Sequence, residues 1–315
     1  MRRLGLALVL ILVQLLAASG AIAETITLPA FTPPIATDIR YRVKAETTVA
    51  MEERGTRTAR GDFRNTLNVS VRTQNGWKTT WSVDAQEPPG GEYEGNALYR
   101  QTLAVYGVNS VVAEADGRGE PVRLDDGGQI RRNMEETIRR TLGPGPIPSG
   151  TVLDTLMKKI DADPTFPLRA LVPALSLTTA MQVAQPTAFE IGKTTSRTDM
   201  ARAFGEVMAP AVLTQTLASV DRAARIATFT WSEEADASAV ARAGQRFLDG
   251  ELRAARERHG TLSPEQTAAL SGASARRNGV ARVSLDDGVT IFAEETISVR
   301  LGPMRSETIT RVTRE

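Results

Sequence analysis

Apolar and polar positions alternate with period two from Ile39 onward. Ile39, Tyr41, Val43, Ala45, Thr47, Val49 and Met51 take one parity, and Arg40, Arg42, Lys44, Glu46 and Glu52 take the other. Successive side chains of a strand point to opposite faces, so this run predicts a long strand with one dry and one wet face. Phe63, Leu67, Val69 and Val71 repeat the pattern, as do Trp77, Trp81 and Val83, and later Ala281, Val283, Ile291, Ala293, Ile297, Val299 and Leu301. Strands are therefore predicted over 38–52, 63–73, 77–85 and 289–301, odd residues buried and even ones exposed, with a further strand over 308–313.

Parity also constrains the turns. Cross-strand partners share a face, so odd-numbered apolar positions on both strands require a loop of odd length. A three-residue loop Gln74-Asn75-Gly76 pairs Val69 with Trp81 and Leu67 with Val83, with Gly76 left-handed in a bulge. Near the C-terminus, a loop Asp286-Asp287-Gly288 pairs Leu285 with Val289, Val283 with Ile291 and Ala281 with Ala293.

Between these sheet-forming stretches the period changes. Ile130, Met134, Ile138 and Leu142 lie four apart and predict a helix over 129–142, broken by the Gly/Pro run 143–148. Asn96 suits the cap of a helix reaching Gly107, and Val152, Leu153, Leu156 and Ile160 a short helix. Val240, Ala243, Phe247, Leu248, Leu252 and Ala255 mark an amphipathic helix over about 235–258, and Ser263-Pro264-Glu265-Gln266 is a capping box. Phe166 to Met181 is apolar, broken by proline, and carries a single charge, Arg169. The segment suits a buried connector, or a plug over a hydrophobic cavity.

The fold class is therefore α+β: twisted, curved antiparallel sheet with helices packed on one face. The chain divides into a first β-rich half over 24–145, a helical and apolar connector over 146–186, and a second β-rich half over 187–315 with helices within 235–275. Two echoes suggest an internal duplication. Val122 to Pro144 resembles Val283 to Pro303 around a shared Leu-Asp-Asp-Gly, and Thr80-Trp81-Ser82 recurs as Thr230-Trp231-Ser232. The copies differ in period after the turn, helical in the first and strand-like in the second, as expected of chance resemblance.

Ahead of all this, Arg2 and Arg3 precede an apolar run from Leu4 to Leu16 and the small-residue triplet Ala21-Ile22-Ala23. That order predicts a signal peptide over 1–23 cleaved after Ala23, since the run is short for a bilayer span. A retained anchor is the alternative. The chain has no cysteine. A lipid-modified cysteine, disulfides and thiolate metal sites are thereby excluded, and a bacterial periplasm is the expected location. Beyond residue 23 the charges nearly cancel, 36 Lys and Arg against 37 Asp and Glu, and they are interspersed. No basic stripe for nucleic acid or polybasic membrane patch results, and the remaining chain has no transmembrane segment.

Chemistry-bearing motifs are scarce. His259 is the sole histidine and sits at a predicted helix end before Gly260, where a cation suits the dipole. Gly192-Lys193-Thr194 matches only the tail of a P-loop, because Thr187 stands where the first glycine belongs. No nucleophile–base, metal-ligand or dinucleotide pattern occurs, so no catalytic residue, metal or cofactor is assigned. Adjacent carboxylates in a strand point to opposite faces and make poor acid–base pairs. Glu295 is the exception, since its odd number sets it on the apolar face beside Ile291, Ala293 and Ile297. It suits a solvated sheet end or bulge, or else a polar contact inside a cavity. Trp77, Trp81 and Trp231 suit a core or a ligand cage.

The order of signal peptide, long alternating strands, helical insert and second strand meander resembles that of uncharacterised exported β-rich bacterial proteins. It is more distantly similar to the half-barrel lipoprotein-carrier proteins of the periplasm, although this chain is longer. That resemblance implies a concave antiparallel sheet covered by helices around an apolar cavity for acyl chains, and carries over no residue. The expected function is a soluble periplasmic binding or carrier protein for a hydrophobic, lipid-like ligand, with Phe166, Leu171, Leu175, Trp81 and Glu295 as candidate lining residues. One alternative is a structural or interaction component of the envelope with a protein partner and no ligand. The other is a carboxylate-dependent glycan hydrolase.

Overall fold

The structure, a computed structural model, describes residues 24–51, 55–84, 104, 107–125, 127–142, 157–158, 160–163, 165–172, 174–204, 207–240, 242, 273–301 and 304–315. The signal peptide over 1–23, most of the helices expected over 96–107, 152–160 and 235–258, the 143–148 breaker, His259 and the 263–266 capping box lie outside them.

Antiparallel strand dominates the described chain. The strands are β1 (Thr25–Leu28), β2 (Asp38–Met51), β3 (Gly55–Arg72), β4 (Gly76–Asp84), β5 (Ser110–Asp116), β6 (Pro121–Leu124), β7 (Thr187–Glu190), β8 (Thr194–Phe204), β9 (Val207–Asp221), β10 (Ile226–Ala235), β11 (Ala273–Ser284), β12 (Thr290–Leu301) and β13 (Met304–Arg314). Eleven of them form one sheet in the order β6-β5-β4-β3-β2-β13-β12-β11-β10-β9-β8, and β1 pairs with β7. The sheet is one continuous surface, since the last strand closes against β2. It is strongly curved. Cα atoms of β8 come within 8 Å of β11, three positions away, where a flat sheet would separate them by about 14 Å.

The helical layer is thinner than the sequence suggests. It comprises α1 (Gly127–Leu142), α2 (Phe166–Leu171), α3 (Leu175–Thr179) and short pieces. Ile130 and Met134 of α1 are fully buried, as the four-residue spacing requires. The late helix begins after Asp236, whose carboxylate accepts hydrogen bonds from the Ser238 hydroxyl and the Ala239 N–H. Those bonds hold the Asp236 carboxyl below its usual range. Strand β10 runs through Ala235 and β11 starts at Ala273, so the ends of the 235–275 helical region belong to the sheet.

Both predicted turns need correcting. Leu67 pairs with Trp81 and Asn65 with Val83, two residues from the expected register. Thr73 N–H bonds Gly76 O, which leaves Gln74 and Asn75 as a two-residue turn, and a bulge at Ser70 restores the parity. Gly76 is not left-handed; it is absent from the positive-φ glycines and starts β4 hard against β5. In the β11–β12 hairpin, Ala281 faces Ala293 as expected. A bulge at Ile291 then pairs Val283 with Thr290, and the loop closes through Ser284 N–H to Val289 O. Gly288 has φ +68°, and the carbonyl of Ala30, in the lead-in over 24–36, lies 2.8 Å from where its Cβ would stand.

One core joins the inner sheet face to the helices and the lead-in. Leu28 and Phe31 of the lead-in, Leu168, Val172, Leu175 and Leu177 of the connector, and Ile130 and Met134 of α1 all belong to it. The connector is pinned by polar bonds: Thr290 Oγ1 donates to Thr178 O at 2.6 Å, and Glu120 accepts from Thr179 Oγ1 at 2.8 Å and pairs with Arg169 at 3.3 Å.

Candidate functional site

The sheet's registers sort its inner face into rows. Phe63, Val43, Val312, Ala293, Ala281 and Phe229 form a row of side chains, every one buried. The next row reads Gly61, Ala45, Thr310, Glu295, Gly279 and Trp231. Beyond it come Ala59, Thr47, Thr308, Ile297, Arg277 and Glu233, then Val49, Ser306 and Val299. On β3, β2 and β13 large residues give way to small and β-branched ones, while β10 and β11 carry Trp231, Glu233 and Arg277.

Burial changes at the same place. Odd positions of β2 are buried through Val43, but Ala45, Thr47 and Val49 are half-buried, as are Ala59, Ile297, Val299, Thr308 and Leu213. The expected odd-in, even-out contrast therefore holds only beside the core. Above it the sequence keeps alternating while α1, α2 and α3 stay below, α3 touching β12 at its Thr290 end, and the start of the late helix lies at the far end of β9 and β10, where Ala209, Ala211 and Val240 are buried again. The result is a broad concave face of methyl-rich side chains, suited to hydrocarbon.

A charged group stands in the middle of this face. Trp231 lies over Gly279, where an added Cβ would come within 2.7 Å of the indole. The Arg277 guanidinium covers the Trp231 ring at 5.3 Å from its centroid. Arg277 Nε donates to Glu295 Oε1, and its Nη1 lies 3.5 Å from Glu233 Oε1. Side-chain exposures are 32% for Arg277, 13% for Glu233 and 6% for Glu295. Burial pulls the guanidinium's pKa down, but the two carboxylates outweigh it and hold the group above its usual value. Glu295 thus sits neither at a solvated end nor at the bulge, but in a buried ion pair.

The five lining candidates do not converge. Trp81 is buried and stacks on Tyr41 at 6.2 Å, where burial raises the Tyr41 hydroxyl far above its ordinary pKa. It lies four strands from Glu295, about 19 Å across the strands, and is offset along them as well, since Trp81 aligns with Ile39 of β2 and Glu295 with Ala45. Leu175 is buried in the core, Phe166 is half-buried at its edge, and Leu171 ends α2 with its side chain outside the described residues. A cleft of about 450 Å³ opens elsewhere, lined by Thr25, Ile26, Thr27, Val220, Arg222, Arg225 and Leu285. Its two arginines are engaged, Arg222 with Glu24 and Arg225 with Asp286.

Arg277, Glu233 and Gly279 were missed by sequence reasoning. The signal was present: continuing the Ala281–Ala293 register by one rung faces Gly279 with Glu295, and Arg277 follows diagonally. Among the described residues no group of acidic or histidine side chains suits a metal ion, and no helix is long and apolar enough to cross a membrane.

No family model and no curated protein matches this chain. Among solved structures it is similar to one described as lipid–protein interactions in lipovitellin, at 10% identity and a TM-score of 0.41. The match covers 90% of this chain and 25% of the other, so the chain spans about a quarter of that protein's length.

Proposed function

We propose that this chain is an exported binding or carrier protein for an apolar, lipid-like ligand held against the upper inner face of the sheet. The observation that carries the reading is the half-buried surface of Ala45, Val49, Ala59, Ile297 and Val299 above the packed core. Each methylene removed from water there contributes about 0.8 kcal/mol, so a chain of ordinary lipid length binds without a dedicated polar motif. The similarity in layout to half-barrel lipoprotein carriers points the same way. Export is supported by the Arg2-Arg3 and Leu4–Leu16 pattern, with β1 starting at Thr25, two residues beyond the expected cleavage point.

The hydrolase reading has less support. It needs two carboxyl groups facing an open cleft, whereas Arg277 bridges Glu233 and Glu295 and fills the space between them. The envelope-interaction reading shares the exposed face but predicts a protein on it.

Native mass spectrometry of protein taken from its own periplasm, with organic extraction, tests the proposal. A hydrocarbon-bearing adduct is expected, lost in Ile297→Asp with little change in melting temperature, because that position is only half-buried. Ligand-free wild-type protein would remove the carrier reading in favour of a protein partner.

A further inference from the structure

The middle of the proposed ligand face is the least apolar part of it, and its charges do not balance. Two carboxylates, Glu233 and Glu295, share one guanidinium, so the group carries a formal charge of −1 where solvent is largely excluded. Among the described residues the other cations on this face, Arg57 on β3 and Arg197 on β8, are exposed at its rims and lie two or more strands from Glu233 and Glu295. Trp231 is not a free platform, since Gly279 lies beneath its ring and Arg277 above it.

We infer that the Glu233–Arg277–Glu295 group selects a lipid whose polar head carries an ammonium group and rejects anionic heads. The inference rests on the lipid-carrier reading and adds the head-group class to it. An ammonium brought to Glu233, the more exposed carboxylate, neutralises the surplus charge and completes an alternating row of two cations and two anions. A phosphate monoester, phosphatidylglycerol or carboxylate head adds a second negative charge to a face that already has one too many. Gly279 takes part as a positioning residue, because only a residue without Cβ lets Trp231 lie flat and hold Arg277 between the two carboxylates.

The test uses the purified chain stripped of lipid and exposed to vesicles of equal phosphatidylethanolamine and phosphatidylglycerol with matched acyl chains. Bound lipid is extracted and the two heads are counted. Wild-type protein is expected to enrich phosphatidylethanolamine about tenfold, the effect of one partly buried ion pair. The double variant E233Q/E295Q changes the formal charge of the group from −1 to +1 and is expected to enrich phosphatidylglycerol instead. Lipid bound at the vesicle ratio by wild-type protein overturns the head-group inference and leaves the carrier reading standing. No lipid bound by folded wild-type protein overturns both. The wild-type ratio decides the matter even if the double variant does not fold.

Discussion

Replacing Arg277 by Met is expected to lower the unfolding free energy by about 3 kcal/mol, the low end for breaking a buried ion pair because the guanidinium is partly exposed. Met keeps an apolar stem on the Trp231 ring, so the loss reports the charge rather than the packing. What it leaves behind is Glu295, 6% exposed, with no compensating cation from β11. Urea denaturation at neutral pH measures the effect. The double variant R277M/E295Q should recover much of the loss, since the carboxylate goes with its partner. A loss under about 1 kcal/mol would mean that solvent, not Arg277, satisfies Glu295.

Much of the sheet was legible because period two is a local signal. The alternation in 38–52 and 289–301 reflects strands that exist, and α1 begins two residues before its predicted start. What the pattern could not reveal is how far the core extends along each strand. Thr47 and Val49 look like Tyr41 and Val43 in sequence, yet the first pair is half-buried and the second fully buried. Cover comes from distant elements, and no local period encodes it. Nor could parity separate an odd loop from an even loop plus a bulge, and both hairpins use a bulge. The site was half visible. Glu295 declared itself by an odd number among apolar neighbours, whereas Arg277 and Glu233 lie on strands whose outer halves show no clear alternation. Placing them required the register of β10 against β11 across a long connection.

Gly76→Ala is expected to cost about 3 kcal/mol, the upper range for forcing an extra carbon into a packed site. An added Cβ would stand 2.1 Å from Ala115 O, 2.5 Å from Asp116 C and 2.7 Å from Asp116 O. All three are backbone atoms of β5, so no side chain can swing aside to make room. Relief requires β4 and β5 to part at their first rungs, Gly76 with Asp116 and Trp77 with Ala115. Trp77 then loses its place in the core, where its ring meets Phe31 edge-on at 6.0 Å. Gly192→Ala supplies the comparison. Its φ of +79° makes alanine strained, but no atom lies within 4 Å of the new carbon, so the expected cost is only the left-handed penalty of about 1–2 kcal/mol. Equilibrium denaturation should rank G76A well below G192A, and near-ultraviolet circular dichroism should change only in G76A, because only there does a buried tryptophan move. Equal losses in the two variants would show that the β4–β5 contact yields, and that Gly76 is not required for close approach of the strands.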